Sequence, residues 1–213
     1  MVNSVRFWDK LARKYAASKI SDMAGYEKSL ERTRHYLRPD HRVIEYGCGT
    51  GSTALRLAPS VAHIQAIDSS AEMIAIAREK AAAEGCKNAS FDTATPEQAL
   101  QQIQPDAGRY DAALAFNLLH LVEDRPGVLA AIAQGLKPGG IFVSKTPCLT
   151  EINIFIRAII PLAQMIGKAP YVSTFSAEQL EQELQAAGFE IVERGRHGSK
   201  GNDPRPYLAA QKL

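Results

Sequence analysis

The sequence predicts an α/β fold in which a doubly wound, mostly parallel sheet carries helices on both faces. Three observations predict it. From about residue 40 onward short β-rich runs alternate with helical ones, the order that parallel strands and crossover helices require. The first strand runs into a loop with glycines at 47, 49 and 51, and the loop runs into a helix. The 213 residues, 46% hydrophobic and 23% charged, suit one domain with a full core.

The strands are HRVIEYG (41–47), AHIQAID (62–68), ASFDT (89–93), YDAALAFN (110–117), GIFVSK (140–145), FEIVERGR (189–196) and PYLAAQK (206–212). Residues 52–58 form a short helical run between the first two. Residues 70–83 are the clearest helix, with Met73, Ile74 and Ala77 on one face and serines at 69 and 70 where an N-cap belongs. Residues 124–135 are another, closed by Gly135 and by KPGG, where Pro138 presets φ and Gly139 permits a positive one. A further helix opens at Ser176 with Gln179 three residues on, a capping-box spacing, and ends at Gly188. Right-handed crossovers turn this order into an open sheet rather than a meander.

Two segments stand outside the alternation. Residues 1–38 read as a helical pair, with Phe7, Leu11 and Tyr15 four apart and then a stripe of Met23, Tyr26, Leu30 and Leu37. Residues 149–174 interrupt the sheet and are rich in apolar side chains (Ile152, Ile154, Phe155, Ile156, Ile159, Ile160, Leu162, Ile166). They are either a lid over a site or a helix packed against the N-terminal pair.

Charge and cysteine usage exclude several classes. With 25 Lys and Arg against 23 Asp and Glu, the formal charge is +2 and no run of one sign stands out, so no nucleic-acid partner is expected. Cys48, Cys86 and Cys148 are too few and too scattered for a disulfide framework or a zinc site. No metal is expected, and the thiols suit a reducing, cytoplasmic setting. The opening MVNSVRFWDKLARKY has no apolar core of a signal peptide, and Arg157, Pro161 and Gln164 break the most apolar stretch. No integral membrane span is expected, and a monomer or a homodimer fits equally.

The chemistry is concentrated in VIEYGCGTGSTALRLA, residues 43–58. A dinucleotide fingerprint needs G-x-G-x-x-G, whereas Ser52 stands at the third glycine position and the spacing is GxGxG. Glu45, at the end of the first strand, is unfavourable beside a pyrophosphate and favourable beside a cation. Asp68, 17 residues beyond Gly51, ends the second strand, where a carboxylate can accept from both hydroxyls of a ribose; it could also merely cap the next helix. The implied ligand has a ribose and a positive charge but no phosphate, and S-adenosylmethionine fits.

VIEYGCGTG, AIDSSAEMI, YDAALAFNLLHLVED, LKPGGIFVSKTP and QELQAAGFEIV resemble, in order and spacing, the motifs of class I S-adenosylmethionine-dependent methyltransferases across residues 40–195. FWDKLARKYAAS is similar to the opening of the small-molecule branch, which includes quinone and other metabolite methyltransferases. The resemblance implies a Rossmann-like sheet of seven strands, mostly parallel with the last antiparallel. It also implies a single domain: an N-terminal cover (1–38), a cofactor-binding core (39–148), a lid insertion (149–174), and a C-terminal helix and strands (175–213). Glu45, Gly47, Cys48 and Gly49 would surround the methionine part of the cofactor, Asp68 the ribose, and Ser69 and Met73 the adenine. Ala94 and Thr95 would border the adenine ring, Thr95 standing where the family often has an acid. Asn117, Leu118 and His120 follow the fourth strand, where cofactor and acceptor meet.

The implied reaction is in-line methyl transfer, leaving S-adenosylhomocysteine, and it needs alignment more than a fixed catalytic residue. A phenol or enol acceptor would gain from a base, for which His120 stands first, then Tyr15 and Tyr26. Lys145 reads as a solvated strand end. Enzymes of this fold that methylate nucleic-acid bases usually carry (Asp/Asn)-Pro-Pro-(Tyr/Phe) where this chain has FNLLH. A small, apolar or aromatic metabolite is the expected acceptor. The competing readings are an NAD(P)-dependent oxidoreductase, disfavoured by Ser52 and Glu45, and a non-catalytic binder of the same cofactor.

Overall fold

The computed structural model describes residues 2–95, 98, 109–151, 159–160, 163–165, 169–199 and 203–213, with side chains from Ser4 onward. Two helices, α1 (Val2–Ala17) and α2 (Met23–Arg34), precede a sheet of seven strands. These are β1 (Arg42–Tyr46), β2 (His63–Asp68), β3 (Ala89–Thr93), β4 (Tyr110–Phe116), β5 (Leu136–Lys145), β6 (Phe189–Gly195) and β7 (Tyr207–Lys212). The connecting helices are α3 (Ser52–Leu57), α4 (Ala71–Ala83), α5 (Arg125–Gly135) and α6 (Ala177–Ala186).

The strand order is β3-β2-β1-β4-β5-β7-β6. All strands run parallel except β7, which is antiparallel to both β5 and β6. The chain turns from one side of β1 to the other between β3 and β4, so a crevice opens at the C-terminal ends of the central strands. This is the Rossmann-like arrangement that the ordered motifs imply.

Period-two alternation distributes the strand residues between two cores. Ile44, Ala113, Ala115, Phe142, Leu208 and Ala210 face the layer of α5 and α6, where Leu129, Ile132, Leu180 and Leu184 are buried. Val43, Ala112, Leu114, Val143, Tyr207 and Ala209 face the other layer, where Leu30 of α2, Leu57 of α3 and Ile74 and Ala77 of α4 are buried. Four of the described helices begin on side-chain caps, the first of them α2, where Asp22 accepts from Gly25 N–H at 3.0 Å. Ser70 accepts from Met73 N–H at 3.2 Å, Asp124 from Gly127 N–H at 3.0 Å and Ser176 from Gln179 N–H at 3.1 Å.

Several local expectations are corrected. The buried face of α1 is Trp8, Ala12 and Ala16 against Met73 and Ile76, one residue round from Phe7, Leu11 and Tyr15. Small alanines let α1 approach α4 closely, and Tyr15 is left 47% exposed. On α2, Met23 turns outward while Gly25, Ser29, Leu30 and Thr33 are buried. The capping box at α6 is half made, because the Gln179 amide donates to Glu183 (3.1 Å) instead of turning back. Strand β5 begins at Leu136, before KPGG, and residues 137–140 bulge out between the pairs Leu136–Tyr110 and Ile141–Ala112, with Gly139 at φ +74°. Much of the insertion at 149–174, including Ile152, Ile154, Phe155, Ile156, Leu162 and Ile166, lies outside the described residues.

Candidate active site

A cavity of about 550 Å³ opens at the C-terminal ends of β1, β2, β4 and β5, under the N-terminal helices. Each residue expected around the cofactor lines it: Glu45, Gly47, Cys48, Gly49, Asp68, Ser69, Met73, Ala94, Thr95, Asn117 and Leu118. Tyr15 and Tyr26 line it as well.

The glycine loop takes its form from left-handed backbone at Gly47, Gly49 and Gly51. At Gly47 a Cβ would stand 2.7 Å from Leu118 Cδ1, so only glycine lets Leu118 lie across the loop. Asn117 brings Leu118 there by taking a left-handed φ of +53°, a conformation asparagine tolerates better than most residues, while its N–H donates to Lys145 O at 2.8 Å.

Asp68 fastens the same loop. One carboxylate oxygen accepts from Gly49 N–H and the other from Ser70 N–H, both at 2.9 Å. Asp68 therefore holds the N–H of the Ser70 cap rather than capping α4 itself, and each of its oxygens keeps a second acceptor site for a ribose hydroxyl. Burial raises the Asp68 pKa, opposed by the Ser70 and Gly49 N–H groups. Asp9 of α1 accepts from the Ser70 hydroxyl at 2.6 Å, which ties the N-terminal cover to the start of α4.

Glu45 is 2% exposed, and its Oε2 is buried with no hydrogen-bond partner among the described residues. Burial pushes its pKa up to about 8, against the pull of the Ala54 N–H. A buried carboxylate oxygen without a partner is costly unless a cation meets it. The donor set fits S-adenosylmethionine on that ground: Glu45 would meet its cationic end, glycine backbone would let it approach, and Asp68 would take its ribose hydroxyls. Ala94 and Thr95 border the remaining space. The Thr95 hydroxyl oxygen already accepts from Gln98 N–H at 3.2 Å.

Residues 8–194 match the family described as methyltransferase domain. The chain belongs to that family. A ubiquinone biosynthesis O-methyltransferase of Burkholderia thailandensis is 28% identical over 165 residues, spanning 75% of this chain and 68% of that one. Another, from Methylocella silvestris, is 30% identical over 145 residues, spanning 67% of this chain and 54% of its own length. Among solved structures, magnesium protoporphyrin IX methyltransferase from Synechocystis PCC 6803, with bound S-adenosylhomocysteine, superposes with a TM-score of 0.71 at 19% identity, covering 99% of this chain and 95% of that one. At that identity the likeness shows the fold. The chain is thus a class I, S-adenosylmethionine-dependent methyltransferase.

Within this methyltransferase domain, the groups named as possible bases are differently placed. His120 is not part of the cavity lining. Its Nδ1 is 3.0 Å from Thr146 Oγ1, its carbonyl accepts from Ser173 N–H at 2.8 Å, and burial lowers its pKa to about 4, so it is neutral at pH 7. His120 lies in the short turn Leu119–Leu121 after β4, where its N–H donates to Thr146 Oγ1 at 3.3 Å and its ring meets the same hydroxyl just beyond β5. The Tyr26 hydroxyl is within 3.1 Å of Thr53 Oγ1, and burial raises its pKa to about 12. Tyr15 is also shifted up, by burial and then by Asp68 and Glu45.

Lys145 corrects the reading of a solvated strand end. It is 6% exposed, lines the cavity, donates to Ser29 Oγ at 3.0 Å and is ion-paired with Asp203 at 3.0 Å. Its parity with Val143, which faces α2, was the available signal; its partner 58 residues later was not readable.

Among the described residues no cluster of His, Cys, Asp and Glu could hold a metal, and no helix is long and apolar enough to cross a membrane.

Proposed function

We propose that this methyltransferase domain methylates a small metabolite with an apolar or aromatic body. The observation that carries the proposal is the continuity of the cavity: Glu45 and Asp68 line the same space in which Trp8, Leu121, Val122 and Tyr171 supply apolar wall. About 550 Å³ falls within the range of a small-ligand site.

S-adenosylmethionine, when bound, supplies a methyl carbon open to in-line displacement from a sulfonium. The chain binds and orients it through Glu45, the Gly47–Gly49 backbone and Asp68. Trp8 and Tyr15, edge to face at a 6.2 Å centroid distance, help exclude water on the α1 side. Orientation of this kind supplies a large part of the rate. His120 packs outside the cavity and Tyr26 holds its proton, so the reaction proceeds without a strong protein base and suits an acceptor already nucleophilic at neutral pH. The balanced charge and free cysteines favour a cytoplasmic setting.

Thermal melting with S-adenosylmethionine, S-adenosylhomocysteine, NAD and NADP tests the binding half. A ligand at 100 times its Kd stabilises by about 2.7 kcal/mol. A shift with the nicotinamide cofactors alone would favour the oxidoreductase reading. Methyl transfer from labelled cofactor to a panel of phenols, enols and amines tests the catalytic half; cofactor binding with no transfer to any of them would favour a silent binder.

A further inference from the structure

Beside the cofactor cradle, the β5 side of the cavity holds a second cluster of buried charge. Asp203 is 5% exposed and is shared by two cations, Lys145 at 3.0 Å and Arg205, whose Nε donates to Oδ1 at 2.6 Å. Both cations line the cavity, whereas Asp203 stands behind them. Ser29 backs Lys145 at 3.0 Å and is in turn 3.1 Å from His197 Nδ1. Burial and then the Lys145 ammonium lower the His197 pKa, so it adds no charge at pH 7.

The cluster sets two positive charges, Lys145 and Arg205, against two carboxylates, Asp203 and, from the start of α2, Asp22. Asp22 is the other carboxylate near Lys145, and its oxygens are taken up by Gly25 N–H at 3.0 Å and Ser199 N–H at 2.9 Å. Among the described residues, the guanidinium N–H groups of Arg205 beyond Nε have no acceptor, and Lys145 has a third N–H beyond its two partners. Cationic N–H groups left without an acceptor beside a cavity are donors for an anion, and charge-assisted hydrogen bonds make such sites selective.

We propose that the methyl acceptor carries a carboxylate, and that Lys145 and Arg205 hold it on the β5 side of the cavity while its apolar body lies against Trp8, Val122 and Tyr171. The proposal rests on the methyl-transfer reading for what happens at the other end of the molecule. The carboxylate is an anchor rather than the methylated group, because an oxygen engaged by an ammonium and a guanidinium has its lone pairs committed. Lys145, held as a cation by Asp203, is a positioning residue and not a base.

Calorimetric titration of the S-adenosylhomocysteine-saturated protein with benzoate, cinnamate and hexanoate, each against its carboxamide, tests this. At least one acid should bind about tenfold or more tightly than its amide, and in Arg205→Gln the preference should fall to about twofold or less with S-adenosylhomocysteine affinity unchanged. Arg205→Gln leaves the Lys145–Asp203 pair in place, so it decides the matter even if Lys145→Met does not fold. Equal binding of acid and amide in every pair, a preference that survives Arg205→Gln, or no acid binding below about 10 mM would overturn the proposal. If the protein does not bind S-adenosylhomocysteine, the methyl-transfer reading falls instead, and the same titrations on ligand-free protein still decide the carboxylate site.

Discussion

The Gly49 N–H donates to Asp68 Oδ2 at 2.9 Å, so the acid that ends β2 fixes the loop that leaves β1. One carboxylate thereby shapes the cradle and faces the ligand. Asp68→Ala should lose two charge-assisted bonds, lowering stability by about 1–3 kcal/mol and S-adenosylhomocysteine affinity at least about tenfold. Denaturant unfolding and calorimetry measure the two effects. Full affinity in the variant would show that Asp68 only fastens the loop.

Glu45 gives the ligand-free protein a pH signature. Its folded pKa of about 8 stands well above the ordinary carboxyl value of 4.5. A raised folded pKa means that its stabilising contribution is full below pH 4.5 and is lost as pH rises toward 8. Glu45→Gln removes that slope, so by pH 9 the variant should be more stable than the parent by up to about 5 kcal/mol, although it binds the cofactor more weakly. Cofactor affinity of the parent should rise by up to about tenfold per pH unit up to about pH 8, as the carboxyl ionises to meet a cation. Affinity that is flat between pH 6 and pH 8 would contradict the role.

Gly47→Ala combines two costs, a left-handed backbone at φ +66° and a Cβ 2.7 Å from Leu118 Cδ1. Gly85→Ala, at φ +64° with open space around its Cβ, isolates the first. Gly85→Ala should cost about 1–2 kcal/mol with cofactor affinity intact. Gly47→Ala should cost more and weaken cofactor binding by displacing Leu118. Equal effects of the two variants on binding would count against the Leu118 contact.

Arg125 is buried between α5 and α6, bidentate to Glu183, with its guanidinium 3.8 Å from the Phe175 ring centroid and an Nη donating to Ser173. Glu183→Ala should strand that cation and cost about 3 kcal/mol, with little relief from added salt. Urea unfolding at low and high ionic strength checks this. A loss below about 0.5 kcal/mol would mark the pair as no stronger than an exposed one.

The cofactor half of the site was readable because its determinants are local: a strand, a glycine loop and an acid at the end of the adjacent strand. What escaped depends on partners far along the chain or on close packing of small residues. Lys145 looked solvated because Asp203 and Arg205 arrive 58 and 60 residues later, just before β7. His120 looked placed for catalysis because it follows β4, but the short turn that holds it carries its ring to Thr146 instead. On α1 the large side chains suggested one face, and Ala12, fully buried against α4, chose another.

The position of β7 bears on how the ribosome must make this molecule. Strand β6 leaves the exit tunnel first but cannot join the sheet directly, because the strand that separates it from β5 has not yet been synthesised. During that interval β5 presents an open edge that could pair with another nascent chain. The cradle built from β1, β2 and β4 is already encoded by residue 118, so cofactor captured co-translationally would stabilise the half-made sheet while it waits for β7 to close that edge.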